Sequence, residues 1–162
     1  MTPERNISGA AGETADIMRD RYLDKETEAV YQAYSEFLDA AKFPYSNNQN
    51  GFHVYLEMKH IRRSFTQVSE VWNGEILITD YCGNCYTGVR KANRVAKAIR
   101  EKFPDHEISV EHYGASFEIE VYYRIRFTTI EALHEAVLSV AEVADEGARI
   151  GYEMLGDKEF ER

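Results

Sequence analysis

The chain predicts an α+β fold: an antiparallel sheet of about five strands in the order α-β-β-β-α-β-β-α, with helices mainly on one face. Three observations carry this expectation. Residues Phe117 to Phe127 alternate apolar and polar side chains so cleanly that one face must be solvated, as antiparallel sheets allow. Asn73-Gly74 separates two apolar runs and marks a hairpin, because a type I′ turn requires positive φ at both central residues. Apolar stripes with helical spacing occupy residues 24–42, 87–103 and the segment from 130 onward.

Taken in order, Met1 to Glu13 carries Gly9-Ala-Ala-Gly12 and no periodicity, which predicts a flexible tail before one globular domain over 14–162. The pattern turns helical at Thr14, and Val30, Tyr34, Phe37, Leu38 and Ala41 then share a stripe. Pro44 disfavours helix at Phe43, so a polar loop is expected through Gly51. Phe52, Val54, Leu56 and Met58 alternate with His53, Tyr55, Glu57 and Lys59, the period of a half-buried strand. A second strand runs from Phe65 to Trp72. With a two-residue turn, Trp72 pairs with Glu75, and counting back places Phe65, Val71, Ile76, Ile78 and Cys82 on one core face.

The third strand is expected to end in a Cys82-Gly-Asn-Cys85 turn that hands over to a helix from Thr87 to Phe103. Its inner stripe is Val89, Ala92, Ala96, Ile99 and Phe103, and Pro104 closes it. Six cations, Arg90, Lys91, Arg94, Lys97, Arg100 and Lys102, cover the remainder and read as a solvated face. Ile108 and Val110 mark a short strand and Gly114-Ala115 a turn. In the following strand Phe117, Ile119, Val121, Tyr123, Ile125 and Phe127 point one way, and Glu118, Glu120, Tyr122, Arg124 and Arg126 the other. Thr128-Thr-Ile-Glu131 is a capping box for a last helix ended by Gly156, whose second half Gly147 and Gly151 should weaken.

Composition limits the function. With 44% hydrophobic residues, 162 residues can bury a real core. No apolar run approaches the ~20 residues of a membrane span, and the N-terminus lacks a signal peptide's apolar segment, so a cytoplasmic protein is expected. A net charge of −9 opposes nucleic-acid binding, which needs clustered Lys and Arg, and favours a protein partner, a basic one included. The five histidines, His53, His60, His106, His112 and His134, have no paired spacing that would complete a zinc site with the cysteines. No metal or other cofactor is therefore expected.

The order of the first helix and three strands resembles that of the YbjN family and the type III secretion chaperones, and implies a similar topology without carrying over any residue. A second resemblance is local. Tyr81-Cys82-Gly83-Asn84-Cys85-Tyr86, Phe103-Pro104, Gly114 and Phe117-Glu118-Ile119-Glu120-Val121 resemble the selenoprotein W group of thioredoxin-like redox proteins. That likeness implies strands 75–81 and 107–112 parallel and adjacent.

Two functions from different classes follow. The open sheet face, with Tyr55, Trp72, Glu118, Glu120, Tyr122, Arg124 and Arg126, has the aromatic and polar mixture of interfaces. It points to a non-catalytic binding protein: chaperone-like, regulatory, or an acidic inhibitor of a basic partner. The long strand after Ser116 also favours a homodimer. The alternative is a thiol-disulfide oxidoreductase with Cys82 as attacking thiol, lowered in pKa by a helix N-terminus, and Cys85 as resolver.

Overall fold

The structure, a computed structural model, describes residues 24–48 and 51–156. The tail expected over Met1 to Glu13 and the helical pattern from Thr14 to Leu23 lie outside the described residues. Among the described residues three helices, α1 (Lys25–Ala41), α2 (Val89–Lys102) and α3 (Ile130–Leu155), pack against a six-stranded sheet. Its strands are β1 (Tyr45–Asn48), β2 (Gly51–Glu57), β3 (Arg63–Trp72), β4 (Glu75–Tyr86), β5 (Glu107–Tyr113) and β6 (Ser116–Arg126), in the spatial order β1-β2-β3-β4-β6-β5. Every pairing is antiparallel. The α+β class and the helices' single-face arrangement agree with expectation.

Local signals set most helix ends. Asp24 caps α1 by accepting from the Thr27 amide at 2.8 Å, and Thr129 caps α3 by accepting from the Ala132 amide at 3.1 Å. Helix α1 is tied down to the sheet by Tyr31, whose hydroxyl donates to the Val68 carbonyl at 3.0 Å, and by the Thr27 hydroxyl, which accepts from the Val71 amide at 3.0 Å. Tyr34 and Tyr31 also close over Phe52, at ring separations of 5.5 and 5.3 Å. Helix α3 spans β3, β4 and β6, and its Leu133, Val137, Val140, Ala141 and Ala144 are buried.

Five expectations need correction. The stretch expected as a polar loop after Pro44 contains β1, making six strands rather than about five; pairing with β2 and the stack of Tyr45 on Phe52, 5.3 Å apart, override its turn-rich composition. The hairpin pairs Trp72 with Glu75 as expected, with Asn73 and Gly74 at φ of 53° and 77°, but a bulge between Val68 and Val71 shifts the alternation. Val68, Thr66 and Ser64 therefore face the core, and Phe65 turns to the opposite face, where it is 50% exposed. Val89, at the very start of α2, is exposed, and Val95 fills the inner stripe in its place.

The fourth correction concerns the cysteines. Strand β4 does not end at Cys82; it continues through a bulge to Tyr86, because β6 is long enough to offer partners to Cys85 and Tyr86, paired with Glu118 and Phe117. Gly83 permits the bulge: its φ is 79°, and a Cβ there would lie 2.3 Å from Ile61. Helix α3, expected to weaken at Gly147 and Gly151, is continuous for 26 residues, since both glycines are buried by packing.

Near the middle of the sheet the carboxyl of Asp80 is buried on the core side. Asp80 accepts from the hydroxyls of Ser64 at 2.5 Å and Thr66 at 2.9 Å and from the Tyr81 amide at 2.7 Å. Burial outweighs these bonds and raises its pKa above the ordinary 3.8. A carboxyl with a raised folded-state pKa stabilises the fold in its protonated form; that contribution is complete below the unfolded pKa and is lost as pH rises through the folded one. Asp80→Asn should therefore raise the denaturation midpoint relative to the parent at pH 8, with the advantage vanishing near pH 3. An advantage independent of pH would refute this account.

Candidate functional site

The face of the sheet away from the helices carries the candidate residues, and the strand registers arrange them in rows. One row crosses from His53 on β2 through Gln67 and Thr79 to Tyr122 and Glu107. The next takes in Tyr55 and Phe65, then Tyr81, Glu120 and Ser109; Glu118 and Glu111 stand opposite each other in the row beyond. Trp72, Glu75 and Arg126 lie together at the hairpin end.

Each expected residue sits on this face, but they do not form one cluster. Glu118, Glu120, Tyr122, Arg124 and Arg126 line β6. Tyr55 is three strands away on β2, with its hydroxyl 2.8 Å from Ser46 Oγ, and Arg63 lies over its ring at 5.9 Å. Trp72 is 76% exposed at the tip of β3, while Arg126 donates to the Asn73 carbonyl at 3.0 Å and so holds the hairpin. Phe65, expected on the core face, and Tyr113 add exposed aromatic surface. Phe65 was hidden by the bulge; Tyr81 was readable from its alternation with Cys82.

Carboxylates and tyrosines converge on the β4-β6-β5 half. Glu120, only 8% exposed, accepts from the Tyr122 hydroxyl, and the Tyr81 hydroxyl contacts that of Tyr113. Burial first, and then the neighbouring Glu120, raise the pKa of Tyr122; for Tyr81 burial is again the largest cause, followed by its bonds to Tyr113 and Glu120. Tyr81 and Tyr122 are therefore neutral phenols at physiological pH. Glu111 and Glu118 face each other across the β5-β6 ladder, a like-charge pairing that works against the sheet. Among the described residues none of these three glutamates forms an ion pair.

The thiols are arranged differently from a redox pair. Cys82 is fully buried on the core side, and a Cβ on Gly147 of α3 would lie 2.6 Å from its sulfur. Burial and the nearby Asp80 push its pKa up, opposite to the lowering expected at a helix N-terminus, and α2 begins seven residues later. Cys85 lies on the other face, its thiol donating to Glu118 at 3.5 Å. Strands β4 and β5 run in the same direction but with β6 between them, so the adjacent parallel pair implied by the selenoprotein W resemblance is not formed. Iodoacetamide on the folded protein at pH 7 is expected to label Cys85 and spare Cys82, as read by peptide mass spectrometry; fast labelling of Cys82 would contradict the burial argument.

Other polar groups serve structure. On α2, Arg100 donates to the Ile108 carbonyl at 3.1 Å and Lys102 pairs with Glu146 at 2.6 Å, so part of its basic face is engaged within the fold. No group of three or more His, Cys, Asp or Glu that could hold a metal ion occurs among the described residues.

No protein-family model and no curated protein matches the chain. Among solved structures it is similar to YbjN from E. coli, described there as a candidate transcription regulator, with a TM-score of 0.57 and 10% identity over 81% of this chain and 95% of that one. The chain thus has a YbjN-like fold, in keeping with the element order.

Proposed function

We propose that this chain is a non-catalytic protein-binding module, regulatory or chaperone-like or an acidic inhibitor of a basic partner, and that the partner docks on the open sheet face. The observation that carries the reading is the exposed aromatic surface there: Trp72 at 76%, Phe65 at 50% and Tyr113 at 46%, on a face that no described helix covers. Large aromatic side chains left in solvent beside polar groups are the usual anchors of protein interfaces. Glu111, Glu118 and Glu120, none in an ion pair among the described residues, together with a net charge of −9, favour a basic partner by charge complementarity. No helix of the described residues is long and apolar enough to cross a membrane, and the module is proposed to act in the cytoplasm as one domain over 14–162.

Two measurements test this reading. Once a partner is isolated by crosslinking and purified, Trp72→Ala should weaken its affinity at least tenfold, and added salt should slow association. An affinity unchanged by both Trp72→Ala and Phe65→Ala would place the interface elsewhere. Self-association through the same face is proposed as well, and light scattering that returns only 18.7 kDa across the micromolar range would exclude it.

A further inference from the structure

At the free edge of β2 the chain forms a second concave site. Strand β1 pairs with β2 only as far as Val54, and beyond it a groove of about 1050 Å³ opens between the β2 edge, the link after α1, the end of α2 and one side of α3. Its floor is apolar: Phe43, Leu56, Met58, Phe103 and Leu138. A second concavity of about 520 Å³, lined by Glu57, Arg62 and Arg63, shares Glu57 and Arg63 with the groove.

The polar groups at the rim differ in what they have left to offer. Asp145 is engaged with two backbone amides, His60 at 2.7 Å and Ile61 at 2.8 Å, and Glu146 with Lys102 and Arg149. Glu142 and Glu57 remain, the latter opposite Arg63 in the β2-β3 register. Against them stand Lys59, Arg62 and Arg63, none in an ion pair among the described residues. Where the two concavities meet, Arg62 and Arg63 stand against the single carboxylate of Glu57, so the excess charge at that end is cationic. Tyr55 beneath the Arg63 guanidinium helps hold it in place there.

We infer that this groove binds a single-chain anionic amphiphile, its aliphatic chain over Phe43, Met58 and Leu138 and its carboxylate or phosphate head on Arg62 and Arg63. Guanidinium groups suit both heads because their paired N–H donors match two oxygens. The volume lies at the upper end of the range for small-molecule sites, enough for an extended chain.

The full chain, titrated calorimetrically with sodium octanoate, decanoate and laurate below their micelle concentrations, tests this directly. Affinity should rise roughly fourfold for each methylene buried, or about fifteenfold per two carbons. Dodecyl phosphate should bind like laurate, and dodecylammonium at least tenfold more weakly. Arg62→Ala with Arg63→Ala should lower laurate affinity about tenfold and leave neutral decanol unchanged. Lysophosphatidic acid compared with laurate distinguishes a lipid phosphate from a free fatty acid, and preference for either supports the site. Affinity independent of chain length, or equal binding of dodecylammonium and laurate, would overturn the inference; both are read on the unaltered protein, so neither depends on a variant folding.

Discussion

Gly147→Ala should destabilise the fold by about 2 kcal/mol, although glycine to alanine within a helix ordinarily gains up to ~1 kcal/mol. The added methyl would stand 2.6 Å from Cys82 Sγ and 3.0 Å from Ile99 Cδ1. Ile99 can shift its side-chain end, but Cys82 is short, fully buried and fixed on β4, so the helix or the strand must move. For a domain of this size the cost corresponds to a melting temperature lower by roughly 4–8 °C. Cys82→Ala alone should also destabilise, by emptying the space of the sulfur. Combined, the two changes should largely cancel, with most of the stability recovered, because the new methyl occupies what the sulfur vacated. Additive losses in that double-mutant cycle would show that the two residues do not share one space. The same contact explains why Cys82, on the core face where the alternation places it, matters to packing.

Asp145→Ala should cost about 3 kcal/mol, the larger of the two single-residue effects. Its carboxylate, 6% exposed on α3, accepts from the His60 and Ile61 amides, and Ile61 is buried. Removing it strands a buried N–H donor and frees the β2-β3 connection from the helix, and hydrogen bonds to a charged acceptor contribute about 1.5–3 kcal/mol each. Asp145→Asn keeps an acceptor oxygen and should lose roughly half as much. Thermal denaturation measures the loss; amide hydrogen exchange localises it, since His60 and Ile61 should exchange faster than the rest of the sheet in the alanine variant. Unchanged exchange at both amides would remove Asp145 as the tether.

Local chemistry made much of the fold readable from the residues alone. The helical stripes around Val30 and Leu133, the Asn73-Gly74 turn and the alternation along β6 each rest on a few neighbouring side chains, and each stands where expected. The open-face positions on β6 were readable for the same reason, since alternation without an interruption assigns faces without knowledge of any partner. What the residues could not reveal depended on distant partners. A bulge reverses every face behind it, so Phe65 emerged outward only because β4 pairs with β3 on both sides of an irregular register. The Cys82 turn was legible as a Gly-containing break, but whether it ended a strand or bulged within one was decided by the length of β6, some 35 residues later. Likewise Gly147 reads locally as a helix defect, and only the packing of α3 onto Cys82 makes it the residue that lets the helix approach the sheet. Short-range preferences are set within a turn or two of chain, whereas register, face and close approach are decided by segments that meet only in the folded molecule.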